Sequence, residues 1–242
     1  MTVAISLISA GAPQSGVMEC INVYRGITGV GFNEVYMTST EIKGVMESND
    51  MRPDILIAPV MNMEEFRSAG LLDVSSLTRV GDVHVGVAVR SGAELPNLGS
   101  VDALREAILI ADRVLYNSAT SGRYIASMIK RLGLAAAVAD KTELFLSASQ
   151  LMKRIGRGKG REIGFGQIPA IRRLSEHGVV LAGPLPEGLK NTTTYIAGAT
   201  GIKATNKVKK FLSFLATPRS RLILKRAGIV QKLCWLKCFL GL

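Results

Sequence analysis

Aromatic residues, histidine and cysteine are scarce in this 242-residue sequence. Aromatic side chains make up 5% of it, and it has two histidines and three cysteines. The odd cysteine count, with Cys234 and Cys238 close together near the C-terminus, excludes a disulfide framework. His84 and His177 are far apart and have no ligand spacing, so we expect no metal site. Aliphatic side chains must therefore fill the core.

The sequence also lacks long apolar runs and the short motifs of common enzymes. No stretch is long enough to cross a bilayer, and no basic region precedes the apolar run near the start, as it would in an intact signal peptide. We find no GxSxG, HExxH or P-loop, and no GxGxxG between a strand and a helix. We therefore favour a binding protein over an enzyme, and expect no catalytic residue and no cofactor.

Positive charge is what the sequence has in excess. Lys and Arg number 30 against 19 Asp and Glu, which gives a net charge of +11. This excess suits nucleic acids, anionic membranes or small anions. Two stretches, 153–161 and 203–210, are denser in Lys and Arg, but neither has the aromatic residues or groove-reading helix typical of nucleic-acid binding. We expect mostly solvated basic faces and no nucleic-acid partner.

Short apolar strands alternate with helices along the chain, which predicts an α/β fold with mixed, mostly parallel sheets flanked by helices. One such block covers about the first 80 residues and a second ends near residue 190, after which the pattern returns to the first. We predict two lobes with a cleft between them. Lobe 1 is residues 1–82 plus 193–242, lobe 2 is residues 83–192, and the chain crosses between them near 81–83 and 191–194.

Small and hydroxyl-bearing residues follow several predicted strands. Ligands of open parallel sheets bind beyond the carboxyl ends of the strands. Three of these turns also open helices, whose free N–H groups and dipole favour an anion. The alternative for any single turn is that Ser and Thr serve only as N-caps. The candidate ligand-binding residues are Ser9, Ala10, Gly11, Thr38, Ser39, Thr40, Pro59, Ser118, Thr120, Ser121, Gly122 and Gln167.

Arg90 completes this candidate set. It ends the β run HVGVAVR, where apolar neighbours would hold its stem. In a cleft, its guanidinium would pair bidentately with a carboxylate or another oxyanion. The alternative is a surface arginine at a strand end.

Several stretches together resemble a known family. They include ISAGAP (8–13), TSTEIKG (38–44), VLYNSATSGRYIASMIKRLGL (114–134) and IGFGQI (163–168). The chain resembles the molybdate-binding-protein-like group of type II periplasmic solute-binding proteins. The resemblance implies a two-lobed type II periplasmic binding protein fold that closes over a small anion, with an ABC transporter permease as partner. It also implies that Ser9, Ser39 and the Ser118–Gly122 turn hold the oxyanion.

The chain departs from the molybdate pattern in its SAGA opening, in Arg90, and in having Gln167 where a tyrosine is usual. These departures favour a carboxylate ligand. The chain is also similar to aconitate isomerases, so an isomerase of an unsaturated polycarboxylate is an alternative, with Glu41 and Tyr116 as weak candidates for its base. A further alternative is the effector-sensing domain of a transcription regulator, although no helix-turn-helix fits before the first strand.

Location and assembly follow from the resemblance alone. It implies a periplasmic protein, and the missing signal peptide leaves a cytosolic location open. We expect a monomer. Residues 232–242, KLCWLKCFLGL, match no part of the predicted fold.

Overall fold

The structure, a computed structural model, describes residues 4–48, 52–118, 120–201 and 204–231. The chain forms two compact units, Met1–Val83 with Thr193–Leu242, and His84–Thr192. It therefore passes from the first unit into the second after Val83 and returns after Thr192. The prediction for residues 232–242 lies outside the described residues.

The first unit is built on parallel strands joined by helices. Strand β1 pairs in parallel with β2 on one side and β3 on the other, and β9 is antiparallel to β3. The central strands β1 and β3 are mostly apolar and almost fully buried, as expected where a sheet is covered on both faces. The elements are β1 (Ile5–Ala10), α1 (Gln14–Thr28), β2 (Phe32–Met37), α2 (Ser39–Ser48), β3 (Ile55–Pro59), α3 (Val60–Ser68), β9 (Thr192–Ala199), α9 (Asn206–Leu215) and α10 (Pro218–Arg226).

Helices α1, α9 and α10 pack together at one face of this sheet. Tyr24 and Phe211 meet edge to face, with ring centroids 5.2 Å apart, and Phe32 lies 4.7 Å from Phe211. Helix α1 passes so close to α10 that a Cβ at Gly16 would come within 2.9 Å of the Leu224 side chain. The few aromatic residues are thus concentrated where α1 and α9 meet the sheet.

The second unit has its own sheet, in the order β8-β4-β7-β5-β6. Strand β5 is parallel to β6 and β7, whereas β4 is antiparallel to β7 and β8. The elements are β4 (Thr78–Arg90), α4 (Val101–Ile110), β5 (Arg113–Asn117), α5 (Thr120–Arg131), α6 (Ala135–Val138), β6 (Thr142–Phe145), α7 (Ala148–Gly156), β7 (Glu162–Gln167), α8 (Ile168–Arg173) and β8 (Val179–Pro184).

The predicted α/β class with mixed, mostly parallel sheets and flanking helices is confirmed. The β run that ends at Arg90 is longer than its apolar stretch HVGVAVR, because β4 begins at Thr78, before the chain leaves the first unit. Helix α10 begins at Pro218, which occupies its first turn, and the Thr217 side chain caps it. Within the described ranges, the helices are all too short or too polar to span a bilayer.

Candidate functional site

Three predicted loops of the first unit lie at one edge of its sheet. Ser9 on β1 lies beside Tyr36 on β2 and Ile57 on β3. The residues two positions further along each strand, Gly11, Thr38 and Pro59, therefore leave the sheet side by side. Gly11 also donates its N–H to the carbonyl of Met37, at 3.1 Å. The structure thus brings together the first-unit residues that the sequence nominated, and we call this edge A.

Within edge A, Ser9 and Ala10 are buried, whereas the backbone of Gly11 is partly exposed to solvent. Ser9 is fully buried, and its hydroxyl donates to the carbonyl of Ala10 at 3.0 Å. Ala10 is 3% exposed. Beside Gly11, the Met37 carbonyl oxygen lies 4.0 Å from where a Cβ would stand. A ligand can therefore approach the backbone at Gly11, whereas the Ser9 hydroxyl must first turn away from Ala10.

The turn between β2 and α2 is a capping box. The hydroxyl of Thr38 accepts the N–H of Glu41 at 3.2 Å, and a Glu41 carboxylate oxygen accepts the N–H of Thr38 at 2.6 Å. This backbone hydrogen bond lowers the pKa of Glu41. Helical geometry gives the N–H groups of Ser39 and Thr40 no partner within the helix. These two amides are the donors that α2 offers to an anion.

A pH-dependent contribution to stability follows from this capping box. Because the pKa of Glu41 is lower in the folded state than the ordinary pKa of a glutamate, the ionised carboxylate stabilises the fold at pH values above that ordinary pKa. That contribution is lost as the pH falls through the folded pKa. Glu41→Gln keeps an acceptor for the Thr38 N–H but removes the charge. We expect the wild type to be the more stable protein at pH 7, and the difference to disappear in urea titrations near pH 3.

The contribution is small, since Glu41 is solvent-exposed. Lys43→Gln on the same helix serves as the control. Lys43 forms ion pairs with Glu65, at 2.8 Å, and with Glu47, and neither pair involves the turn between β2 and α2. An equal stability difference between wild type and Glu41→Gln at pH 7 and pH 3 would contradict the assignment.

The turn between β3 and α3 contributes more to the shape of edge A than to its hydrogen-bond donors. Pro59 is buried and precedes α3 in an extended conformation (φ −54°, ψ 145°), without a side-chain cap. Proline has no N–H, so Pro59 cannot donate to a ligand. Behind it, Met61 is 77% exposed at the start of α3. Pro59 therefore shapes edge A, and amides of the α3 first turn supply any donors there.

The second unit has a corresponding edge, formed where β5 and β7 end. Tyr116 on β5 lies beside Phe165 on β7, so the residues that follow, Ser118 and Gln167, leave the sheet at the same edge. The N–H of Ser118 donates to the carbonyl of Phe145 at 2.9 Å, which attaches this loop to β6 as well. The structure thus also brings together the second-unit candidates, and we call this edge B.

Edge B contains a turn that only glycine fits. Ser121 is 7% exposed, and its hydroxyl donates to the Asn117 side-chain oxygen at 3.5 Å. A Cβ at Gly122 would lie 1.4 Å from the carbonyl oxygen of Asn117. The first turn of α5 is therefore pressed against the end of β5, where its amides open onto the edge. Thr120 begins α5, but its side chain lies outside the described residues, as does Ala119.

Arg90 lies at the opposite edge of the same sheet. Strand β4 is antiparallel to β7, with Val85 beside Gln167 and Ala88 beside Gly164. Arg90 is therefore next to the beginning of β7, at the far end from Gln167. Within this unit Arg90 therefore does not lie at edge B, and its part in ligand binding stays a prediction.

Arg90 instead lines an open pocket of about 870 Å³ together with Glu106, Asp112 and Lys159. Its Nη1 donates to the carbonyl of Ser91 at 3.2 Å, and its buried Nε has no hydrogen-bond partner among the described residues. The pocket is lined by acidic as well as basic side chains, so its charge does not favour anions alone.

The sequence analysis missed two features of these edges. The capping box was visible as the TSTE signature at 38–41, which assigns the Thr38 hydroxyl and the Glu41 carboxylate to each other. Asn117 is not among the candidate residues, although its side chain and carbonyl contact Ser121 and Gly122. Across the described ranges, no three His, Cys, Asp or Glu side chains gather as metal ligands.

Known proteins match this chain over almost all of its length. The family model described as bacterial extracellular solute-binding protein matches residues 5–230. A curated relative, aconitate isomerase from Pseudomonas sp, is 21% identical over 233 residues, which cover 93% of this chain and 87% of that protein.

Solved structures show the same fold. The periplasmic molybdate-binding protein of Azotobacter vinelandii has a TM-score of 0.74 at 15% identity, covering 94% of this chain and 99% of its own. The sulfate-binding protein SubI of Mycobacterium tuberculosis has a TM-score of 0.69 at 14% identity, covering 94% and 86%. At these identities the likeness shows the fold, which is that of type II periplasmic binding proteins.

Proposed function

The chain belongs to the bacterial extracellular solute-binding protein family, and on that premise we propose that it captures a small anion as the substrate-binding component of an ABC importer. The proposal extends to a periplasmic location and to a transporter permease as partner. In this proposal the backbone amides and hydroxyls of edges A and B are the donors that bind the anion. The observation that carries the proposal is that each unit has a glycine- and hydroxyl-lined edge at which a helix begins.

The ligand class follows from the donors at the two edges. The candidate residues left after Arg90 is removed contain no Lys or Arg, so the donors are backbone amides, hydroxyls and the Gln167 amide. Such neutral donors suit a small, fully ionised oxyanion of the molybdate or sulfate kind. The argument from Arg90 for a carboxylate no longer applies. We therefore place the tetrahedral oxyanions ahead of the carboxylates.

Ligand binding should raise the melting temperature with concentration. A ligand present at 100 times its Kd adds about 2.7 kcal/mol of stability, which raises the Tm of a chain of this size by roughly 5–10 °C. The panel is molybdate, tungstate, sulfate, phosphate, citrate and the two aconitates. A flat Tm across the whole panel would contradict the proposal.

Ser39→Pro tests edge A at a single donor. Proline is tolerated in the first turn of a helix, so this change removes one N–H and leaves α2 intact. We expect affinity for the anion that binds to fall roughly 10- to 100-fold, the scale of one hydrogen bond to a charged group. Arg90→Ala is the control and should bind as the wild type does. Wild-type affinity for Ser39→Pro together with weakened affinity for Arg90→Ala would place the ligand in the pocket beside Arg90.

The relative named aconitate isomerase supports a second candidate, an isomerase acting on an unsaturated polycarboxylate. Such a reaction needs a base near the acidic carbon. The lowered pKa of Glu41 makes its carboxylate a weak base, and burial raises the pKa of Tyr116, which keeps its phenol protonated at neutral pH. These directions favour binding over catalysis. Ultraviolet absorbance of cis- and trans-aconitate mixed with the protein decides the matter, since any turnover above a buffer control would favour the isomerase.

A further inference from the structure

The excess positive charge lies in one part of the chain. Residues 193–242 contain ten Lys and Arg and no Asp or Glu. The other 192 residues are nearly balanced, with 20 basic against 19 acidic side chains. Almost the whole net charge therefore comes from one segment of the first unit, which includes α9 and α10. A charge so concentrated differs from the scattered solvated residues expected of an ordinary basic protein.

Helix α10 carries this charge on its exposed side. Ser220 and Leu224 are buried, and Leu224 contacts α1 beside Gly16. Ile223 packs partly against the same core, whereas the basic residues of the helix and Leu222, which is 50% exposed, point to solvent. We define the basic face of α10 as Arg219, Arg221, Leu222, Lys225 and Arg226.

The cations of this face are not neutralised by neighbouring carboxylates. The segment holds no acidic residue, so no pair can form within α10 or with α9. Among the described residues, each ion pair joins an Asp or Glu to a Lys or Arg that lies outside α10. The face therefore offers four positive charges, around one exposed leucine, to an external partner.

The chain that follows α10 is attached to the first unit up to Gln231. Val230 exchanges both backbone hydrogen bonds with Asp82, at 2.7 and 2.8 Å, and the Gln231 side chain donates to the Val80 carbonyl at 2.6 Å. These bonds attach the end of α10 firmly to the first unit, so the helix keeps its orientation and its basic face stays exposed.

We propose that the basic face of α10 binds an anionic membrane surface. Lysine and arginine side chains are attracted to the negative potential of anionic lipids. The exposed Leu222, which lies among these cations, gains by entering the membrane interface. A nucleic acid would satisfy the cations but would leave Leu222 in water, so the apolar side chain favours the lipid. Such binding would hold the protein at the membrane, independently of which solute it carries.

The test is co-sedimentation of the full chain with vesicles. Vesicles with 30 mol% phosphatidylglycerol in phosphatidylcholine are compared with pure phosphatidylcholine, at 50 and 500 mM NaCl. We expect binding to the anionic vesicles at least tenfold stronger than to the neutral ones, and at least tenfold weaker at the higher salt. Equal binding to both compositions, or none to either, would overturn the proposal.

A pair of matched variants locates the surface. The first changes Arg219, Arg221, Lys225 and Arg226 to Gln, and the second makes the same change at four exposed basic residues of the second unit, Arg105, Lys130, Lys153 and Arg157. We expect the first to lose at least tenfold in vesicle affinity and the second less than twofold, with the Tm of both within a few degrees of the wild type. Equal losses would show attraction by net charge alone and overturn the proposal. Tighter binding to random-sequence DNA than to anionic vesicles would also overturn it.

Discussion

Replacing Gly122 with alanine is expected to destabilise the protein by about 3 kcal/mol or more and to abolish anion binding. A Cβ at this position would lie 1.4 Å from the carbonyl oxygen of Asn117 and 2.5 Å from its carbonyl carbon. Both are backbone atoms and cannot rotate away. The start of α5 must therefore move off the end of β5, which disrupts the amides of edge B.

Gly44→Ala provides the control for this effect. Gly44 lies inside α2, where a Cβ would meet nothing within 4 Å. The same chemical change should therefore stabilise the protein by up to about 1 kcal/mol, because alanine is the better helix former. Urea unfolding of the two variants gives the comparison directly. If Gly122→Ala unfolds at the wild-type midpoint, the close contact between α5 and β5 is not present.

Removing the carboxylate of Asp82 should be similarly damaging. Asp82 is 1% exposed, forms an ion pair with the half-buried Arg79 and accepts the hydroxyl of Thr194 at 2.7 Å. It thereby ties β4 to β9, the two strands at which the chain passes between the units. Asp82→Ala leaves the guanidinium of Arg79 without this carboxylate in a covered site, so we expect a loss of about 3–5 kcal/mol in the free energy of unfolding.

Thr194→Ala separates the ion pair from the hydrogen bond. It removes one donor to Asp82 and keeps both charges, so the expected loss is about 1 kcal/mol. Guanidinium unfolding at neutral pH measures both variants. Equal losses for Asp82→Ala and Thr194→Ala would contradict the account, because the pair of charges would then contribute nothing beyond the hydrogen bond.

Local features of the structure were predictable from the sequence. Serine before a helical pattern indicates an N-cap, and the hydroxyl of Ser100 accepts the N–H of Ala103 at 3.0 Å at the start of α4. The short run RVLYN indicates a strand, and β5 covers these residues, Arg113–Asn117. Both depend on residues within a few positions of each other, where capping chemistry and β-branched composition act directly. The alternation of such elements was enough to predict the α/β class.

Features set by distant contacts were not predictable in this way. Whether Arg90 lies at edge B depends on the direction of β4 against β7, which nothing near Arg90 in sequence determines. The Ser9 hydroxyl turns to the carbonyl of Ala10, a rotamer choice that its neighbours in the sheet decide. The sequence therefore identified loops that lie side by side at the edges of the sheets, but it could not show which of their donors are open to a ligand.

The most direct test of the account is a two-dimensional ¹H–¹⁵N NMR titration with sodium molybdate. We predict that the amide signals of Ser39 and Thr40 at edge A shift together with those of Ser121 and Gly122 at edge B, all saturating with the same Kd. The signal of Gly92, beside Arg90, should stay in place. Shifts confined to one edge, or centred on Gly92, would contradict the proposal that the donors of both edges bind the anion.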